Sequence, residues 1–95
     1  MNILILGGGS REHALADTVS KSPECDNLYI APGNAGTFQI ATNLPIEETD
    51  FEGIKKAVKE YQIDLLIPGP EKPLMMGLKD DFREDEALNE HMVLG

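Results

Sequence analysis

The chain has 95 residues, enough for one domain with a modest hydrophobic core and too few for two. Its 17 acidic residues exceed its 8 basic ones, and the net charge of −9 disfavours nucleic-acid or membrane-surface partners, which present phosphate groups of the same sign. The sequence contains neither a secretory leader nor an apolar run near the roughly 20 residues that cross a bilayer, and its single cysteine, Cys25, has no internal disulfide partner. We therefore expect a cytoplasmic protein.

The first predicted elements are a strand and a helix joined by glycines. The apolar run at residues 3–6 is continuous rather than alternating, which is typical of a strand buried on both faces of a parallel sheet. Three glycines follow at residues 7–9, the first loop. A helix is predicted from Arg11 to about Lys21, ending at Ser22-Pro23, because the residue before a proline avoids helical geometry.

The middle of the chain predicts a second strand, a loop and a second helix. Leu28 to Ile30 form the strand, and the turn residues of "PGNAG" (residues 32–36, the second loop) follow it. A short strand is expected at Phe38 to Ala41. The segment "TDFE", Thr49 to Glu52, fits a capping box, in which threonine caps the helix. One apolar stripe then recurs at helical spacing: Phe51, Ile54, Val58 and Tyr61.

The last third predicts a strand, a helix and a final strand. Asp64 to Ile67 form the strand, followed by the third loop (residues 68–71) of "PGPEKP". Pro73 suits the first turn of a helix. The helix places its apolar residues four apart, at Leu74, Leu78 and Phe82. The segment "KDDFREDEALNE" is interpreted as the solvated end of this helix and a charged loop, and "HMVLG" as a last strand.

Strands alternating with helices predict a single doubly wound α/β domain over residues 1–95, with a parallel sheet covered by helices on both faces. Ligands of such sheets bind beyond the carboxyl ends of the strands, where the strand order reverses. All three loops begin at such ends. We therefore expect them to rise from one rim and face one ligand.

The first loop has the chemistry of an anion cradle. Gly7, Gly8 and Gly9 allow a ligand to approach the backbone, and the amides from Ser10 onward point out of a helix N-terminus. The guanidinium group of Arg11 can donate further hydrogen bonds to the same anion. The same residues also fit a tight strand-to-helix turn that binds nothing.

A dinucleotide fingerprint fits this loop only in part. Its third glycine would fall at Glu12, and the second strand ends in Ala31-Pro32 without the expected acidic residue. NAD binding is therefore a second candidate function. Ser10 near His13 lacks the sequence of a nucleophile elbow, and a metal site needs more ligands than His13 and His91. No catalytic or metal-binding residue is predicted.

The remaining candidates each have two interpretations. The Asn34 side chain can contact a polar ligand or close a turn, and Glu71 can accept ligand hydroxyl groups or cap the third helix. Cys25, flanked by acidic residues, is interpreted as structural, and Met75 with Met76 as packing in the core or against a partner domain.

Taken together, "GGGSREHAL", "YIAPGNAGT" and "PGPEKPL" resemble the N-terminal domain of the phosphoribosylamine–glycine ligase family over nearly the whole chain. The resemblance implies a Rossmann-like pre-ATP-grasp fold and an enzyme that joins glycine to 5-phosphoribosylamine in purine synthesis, using ATP and Mg²⁺ or Mn²⁺. It also implies that these cofactors are held by an ATP-grasp region outside this chain. The chain is accordingly expected to be a fragment, inactive alone, whose partner is that region.

The resemblance also implies one wall of the phosphoribosylamine pocket. Residues 8–11 would surround the sugar-phosphate end, residues 34–36 the middle, and the third loop the ribose hydroxyls or the amine. Two positions depart from the family pattern: Ser10 replaces a glycine, and Pro68 stands where valine is usual. The predicted substrate-binding residues are Gly8, Gly9, Ser10, Arg11, Asn34, Ala35, Gly36, Pro70 and Glu71.

Besides NAD binding, two alternatives stay open. The chain can be the first domain of another ATP-grasp enzyme, such as a biotin carboxylase, or a ligand-sensing module without chemistry. The first of these is not expected to carry "REHAL" and "PGNAG" together.

Overall fold

The computed structural model describes residues 1–68, 72–85, 88 and 92–93, with the side chains of residues 72–75 outside that description. The described elements, in chain order, are β1 (Asn2–Gly7), α1 (Ser10–Ser20), β2 (Asn27–Pro32), a 3₁₀ helix (Thr37–Gln39), β3 (Thr42–Asn43), α2 (Phe51–Glu60), β4 (Leu65–Ile67) and α3 (Lys72–Glu84). Within this part of the chain, no helix is long and apolar enough to cross a membrane.

The four strands form one parallel sheet in the order β3-β2-β1-β4. β2 pairs with one side of β1, and β3 pairs with the far side of β2. β4 then pairs with the other side of β1. The strand order therefore reverses between β1 and β4. Val93, in the predicted final strand, forms an isolated parallel bridge with Leu66 of β4. This bridge lies on the side of β4 away from β1. His91, Leu94 and Gly95 lie outside the described residues.

Helices cover both faces of the sheet, as the sequence predicts. Alternate residues of β1 point to opposite faces: Ile5 packs in the cluster that contains Ala16 of α1, whereas Leu4 packs in the cluster of α2 and α3. Both side chains are fully buried, and burial of such a side chain contributes about 1.5–3 kcal/mol relative to exposure. This two-sided burial explains why β1 is apolar without alternation.

The predicted strand at residues 38–41 is wrong. A 3₁₀ helix occupies Thr37–Gln39, and the strand follows one residue after Ala41, at Thr42–Asn43. The cause is local, because the side-chain oxygen of Asn34 accepts the backbone N–H groups of Gly36 (2.8 Å) and Thr37 (3.0 Å) and so starts a helical turn. Phe38 is 72% exposed as a result.

The predicted capping box of α2 is also wrong in detail. The N-cap is Asp50 rather than Thr49, and its carboxylate accepts the backbone N–H of Gly53 at 3.0 Å. The predicted apolar stripe is confirmed, since Ile54 and Val58 are buried and Phe51 packs against the same core.

The other two helices fit their predictions with small changes. α1 begins at Ser10, one residue early, and buries Ala16, while Leu15 is 36% exposed. In α3, Leu78 and Phe82 are buried as predicted, and the side chain of Leu74 lies outside the description. The charged residues on the outer face of α3 are exposed: Asp80, Arg83 and Glu84.

Candidate functional site

The first two loops lie side by side at the carboxyl edge of the sheet. Gly7, the last residue of β1, is paired with Pro32, the last residue of β2. The pairing continues beyond the strands, because the backbone N–H of Gly33 donates to the carbonyl oxygen of Gly7 at 3.0 Å. The expected common rim is therefore present for these two loops.

The third loop leaves the same edge on the opposite side of β1. Ile67, which ends β4, is paired with Ile5, and Pro68 follows it. Gly69, Pro70 and Glu71 lie outside the described residues, so the predicted binding role of Pro70 and Glu71 stays a prediction. The crevice that the strand order creates lies between the ends of β1 and β4.

The first loop turns sharply into the N-terminus of α1. Gly7 has φ +128°, a conformation that side-chain-bearing residues rarely adopt. Gly9 is the N-cap and provides no side-chain hydrogen bond, so the first backbone N–H groups of α1 depend on water or a ligand. Ser10, which stands where the family pattern has a glycine, is the first residue of α1. Its backbone is helical, so the serine does not require a left-handed conformation.

A carboxylate shares this loop with the backbone amides. An ideal Cβ built on Gly7 falls 2.6 Å from Oε1 of Glu12, and one built on Gly9 falls 3.0 Å from Oε2. The Glu12 side chain thus folds back over the glycines, in the first turn of α1, where a negative charge is favourable. It lowers the positive potential that the loop offers to an anion, and it adds an acceptor for hydroxyl or ammonium groups.

The second loop is fixed by a network around Asn34. The Asn34 side-chain N–H donates to the carbonyl oxygen of Gly8 at 2.7 Å, which ties the second loop to the first. Thr37 is fully buried, and its hydroxyl oxygen accepts the backbone N–H of Asn34 at 2.8 Å. The side-chain N–H of Asn43 donates to the carbonyl oxygen of Asn34 at 2.9 Å. Much of the polar capacity of this loop is therefore used internally.

Other predicted site residues surround this network. Ser10, Arg11 and Ala35 are exposed at the rim, whereas Gly36 is partly buried against His13 of α1. His13 lies beneath the second loop and packs against its backbone. Sequence reasoning did not identify Thr37 or Asn43, because ordinary polar residues give no signal for a network that forms only when the loops meet.

Two further groups lie apart from this rim. Cys25 is unpaired and half-buried before β2, and burial raises the pKa of its thiol. Met76 is 63% exposed on α3, and the side chain of Met75 lies outside the description. In the described part of the chain, no group of three or more His, Cys, Asp or Glu residues is arranged to hold a metal ion.

Comparisons with known proteins place this geometry in context. The profile of the family described as "Phosphoribosylglycinamide synthetase, N domain" matches residues 1–92. The chain is 50% identical over 86 residues to a phosphoribosylamine–glycine ligase of Haemophilus influenzae, covering 88% of this chain and 20% of that protein. It is 48% identical over 85 residues to the ligase of Yersinia pestis, covering 87% and 20%.

A solved structure agrees with these matches. The crystal structure of a phosphoribosylamine–glycine ligase from Thermotoga maritima superposes with a TM-score of 0.56 at 33% identity, covering 76% of this chain and 17% of that one. This chain spans about a fifth of the length of the curated relatives it matches.

Proposed function

Because the chain belongs to the family of phosphoribosylglycinamide synthetase N domains, we propose that it is the substrate-binding domain of an ATP-dependent ligase. The ligase joins glycine to 5-phosphoribosylamine and yields glycinamide ribonucleotide for purine biosynthesis. The observation that carries the proposal is the joined pair of glycine loops at the carboxyl edge, next to the point where the strand order reverses.

In this proposal the rim holds the phosphoribosyl group. The amides of residues 8–11 and the Arg11 guanidinium contact the sugar-phosphate end, and residues 34–36 border its middle. Pro70 and Glu71 are assigned the ribose hydroxyls or the amine. Exposure of Ser10, Arg11 and Ala35 supports this arrangement, since a ligand can reach them from solvent.

The chemical step is assigned to groups outside this chain. ATP, with Mg²⁺ or Mn²⁺, would be held by the ATP-grasp region and would supply the activation of the glycine carboxyl group. The part played by this chain is to hold the phosphoribosylamine so that its amine faces the activated carboxyl group. A pocket wall without its opposite wall buries little of a ligand, so this chain alone binds weakly and does not catalyse.

The partner in this proposal is the ATP-grasp region of the same enzyme. Exposed Met76 on α3 supports a docking face, since a large apolar side chain gains free energy when a neighbouring domain covers it. Location in the cytoplasm is part of the same proposal.

A ligand titration followed by backbone amide shifts tests the proposal. Glycinamide ribonucleotide, the product, is added to this chain, and the amides of residues 8–11 are expected to shift in a saturable manner. NAD is titrated in parallel, and no saturable shift of these amides is expected. If the amides stay unmoved by glycinamide ribonucleotide, the assignment of the first loop is wrong.

A pair of arginine variants sharpens the titration. Arg11→Ala removes the proposed contact with the phosphate group, and affinity is expected to fall by about 10- to 150-fold, since one charge-assisted hydrogen bond is worth about 1.5–3 kcal/mol. Arg83→Ala is the matched control, because Arg83 is also exposed but lies on α3, paired with Asp80 at 3.4 Å. Equal losses in the two variants would mean that only the net charge matters.

A further inference from the structure

The Asn34 side chain joins two loops that are 26 residues apart in sequence. Its N–H donates to the carbonyl oxygen of Gly8 at 2.7 Å, while its oxygen accepts the backbone N–H groups of Gly36 and Thr37. One side chain thus shapes the second loop and holds the first. Both lone pairs of the oxygen are used, which leaves Asn34 a single N–H for any other partner.

This bond has a consequence for the orientation of the first loop. The carbonyl group of Gly8 and the N–H of Gly9 belong to one planar trans peptide, so they point in opposite directions. The carbonyl oxygen of Gly7, one residue earlier, also points to the second loop, because it accepts the N–H of Gly33. The N–H groups of Gly8 and Gly9 are therefore directed away from the second loop, and that of Gly8 points towards the β4 side of β1, because β2 and β4 flank β1 on opposite sides.

That side is where the strand order reverses and where a ligand of this fold binds. We propose that Asn34 is a positioning residue, which aims the Gly8 and Gly9 amides into the crevice without itself being the main contact of the ligand. The proposal rests on the function proposed above. In this proposal the second loop holds the first loop in its binding conformation before the ligand arrives. The amides then lose little conformational entropy when the phosphoribosyl group binds.

Aspartate at position 34 separates the two tasks of the side chain. Asn34→Asp keeps an oxygen that accepts the N–H groups of Gly36 and Thr37, and it removes the N–H that donates to Gly8. The matched control is Asn43→Asp. It adds the same charge to the same network and also loses one donor, but it leaves the bond to Gly8 in place.

Two measurements compare the variants. The heteronuclear ¹⁵N NOE, recorded without ligand, is expected to fall at Gly8 and Gly9 in Asn34→Asp only, and to stay unchanged at Gly36. The dissociation constant for glycinamide ribonucleotide is expected to rise about fivefold in Asn34→Asp relative to Asn43→Asp, which corresponds to one lost hydrogen bond. If Asn34→Asp does not fold, Asn34→Ser replaces it, because serine keeps a short acceptor for its own turn and cannot reach Gly8.

The outcomes separate this proposal from the one on which it rests. An unchanged NOE at Gly8 and Gly9 in Asn34→Asp overturns the positioning role, whether or not the ligand binds. Equal losses of affinity in the two variants overturn it as well, since charge alone would explain them. If the wild-type chain shows no saturable shift, the proposed function fails, and the NOE still decides whether Asn34 orders the first loop.

Discussion

The imidazole of His13 occupies the space that a side chain on residue 36 would need. An ideal Cβ on Gly36 falls 2.7 Å from Cε1 of His13 and 3.0 Å from its Nδ1. Helix α1 therefore packs directly on the second loop, and the motifs "REHAL" and "PGNAG" form one physical unit. The presence of both motifs in one chain has a steric reason, since each contributes one side of the same contact.

The variant Gly36→Ala tests this contact. The backbone at Gly36 has φ −70° and ψ −40°, which alanine adopts readily, so the cost of the substitution is steric. We expect the free energy of unfolding to fall by about 1–3 kcal/mol, partly offset by the lower entropy of the unfolded chain. Denaturant unfolding followed by circular dichroism measures the change.

A double-mutant cycle with His13→Ala supplies the control. Removal of the imidazole is expected to relieve most of the cost of Gly36→Ala, with a coupling energy of about 0.5–3 kcal/mol between the two positions. The contact of the new Cβ with Oδ1 of Asn34, at 3.2 Å, remains. Additive effects of the two substitutions would show that residues 13 and 36 do not share this space.

Gly8 and Gly9 are adjacent, but they should tolerate alanine differently. A Cβ on Gly8 falls 2.7 Å from the carbonyl oxygen of Gly33, which is backbone and cannot move without disturbing the second loop. A Cβ on Gly9 meets only the end of the flexible Glu12 side chain, at 3.0 Å. Gly8→Ala is expected to lower the unfolding free energy by about 1–3 kcal/mol.

Gly9→Ala is the internal control for that measurement. It is expected to change the unfolding free energy by less than about 1 kcal/mol, since its contact moves away by rotation of a side chain. Thermal unfolding of both variants in one buffer compares them. A larger loss for Gly9→Ala than for Gly8→Ala would contradict the close approach of the two loops.

The elements of the fold that sequence reasoning predicted best depend on hydrophobic burial. The unbroken apolar run of β1 and the apolar stripe of α2 each extend over several residues. Both patterns are visible in the sequence because the same side chains pack in the core. The error at residues 38–41 arose because a side-chain oxygen, that of Asn34, redirects the local backbone into a helical turn. Such a choice depends on a single hydrogen bond and has no periodicity to reveal it.

The helix cap of α2 is a second example and can be tested directly. Asp50 accepts the N–H of Gly53, so Asp50→Ala is expected to lower the unfolding free energy by about 1 kcal/mol, within a range of about 0.5–2. Thr49→Ala is the control suggested by the sequence, and we expect a change of less than about 0.5 kcal/mol because Thr49 is exposed and is not the cap. Chemical denaturation distinguishes the two. A greater loss of unfolding free energy from Thr49→Ala would show that Thr49, as the sequence predicts, is the N-cap.

The sequence predicted the edge of the sheet that the first two loops share, but not the contacts between them. Topology alone places the ends of parallel strands at one edge, so the rim followed from the order of elements. The partners of Asn34 did not, because the sequence does not show that Gly8 and Asn34 meet across 26 residues. Whether an asparagine binds a ligand or a neighbouring loop is decided by tertiary structure.

The N-terminal ammonium group predicts a pH dependence of stability. It donates to the carboxylate of Asp26 at 2.7 Å and to the carbonyl oxygen of Glu24 at 2.6 Å. The hydrogen bond to Asp26 raises the pKa of the Met1 ammonium group above its ordinary value, although burial acts in the opposite direction. The folded state thus holds this proton more tightly than the unfolded chain does.

It follows that this contribution to stability is fully present below the unfolded pKa of the ammonium group, near 8, and is lost as the pH rises through the higher folded pKa. We expect the unfolding free energy of the wild type to fall between pH 7 and pH 9.5 more than that of Asp26→Asn. Asp17→Asn is the control, since Asp17 pairs with Lys21 and not with the N-terminus, and it should keep the wild-type slope. Urea unfolding at both pH values gives the change in unfolding free energy with pH. The same change in the wild type and Asp26→Asn would show that the ammonium group titrates as it does in the unfolded chain.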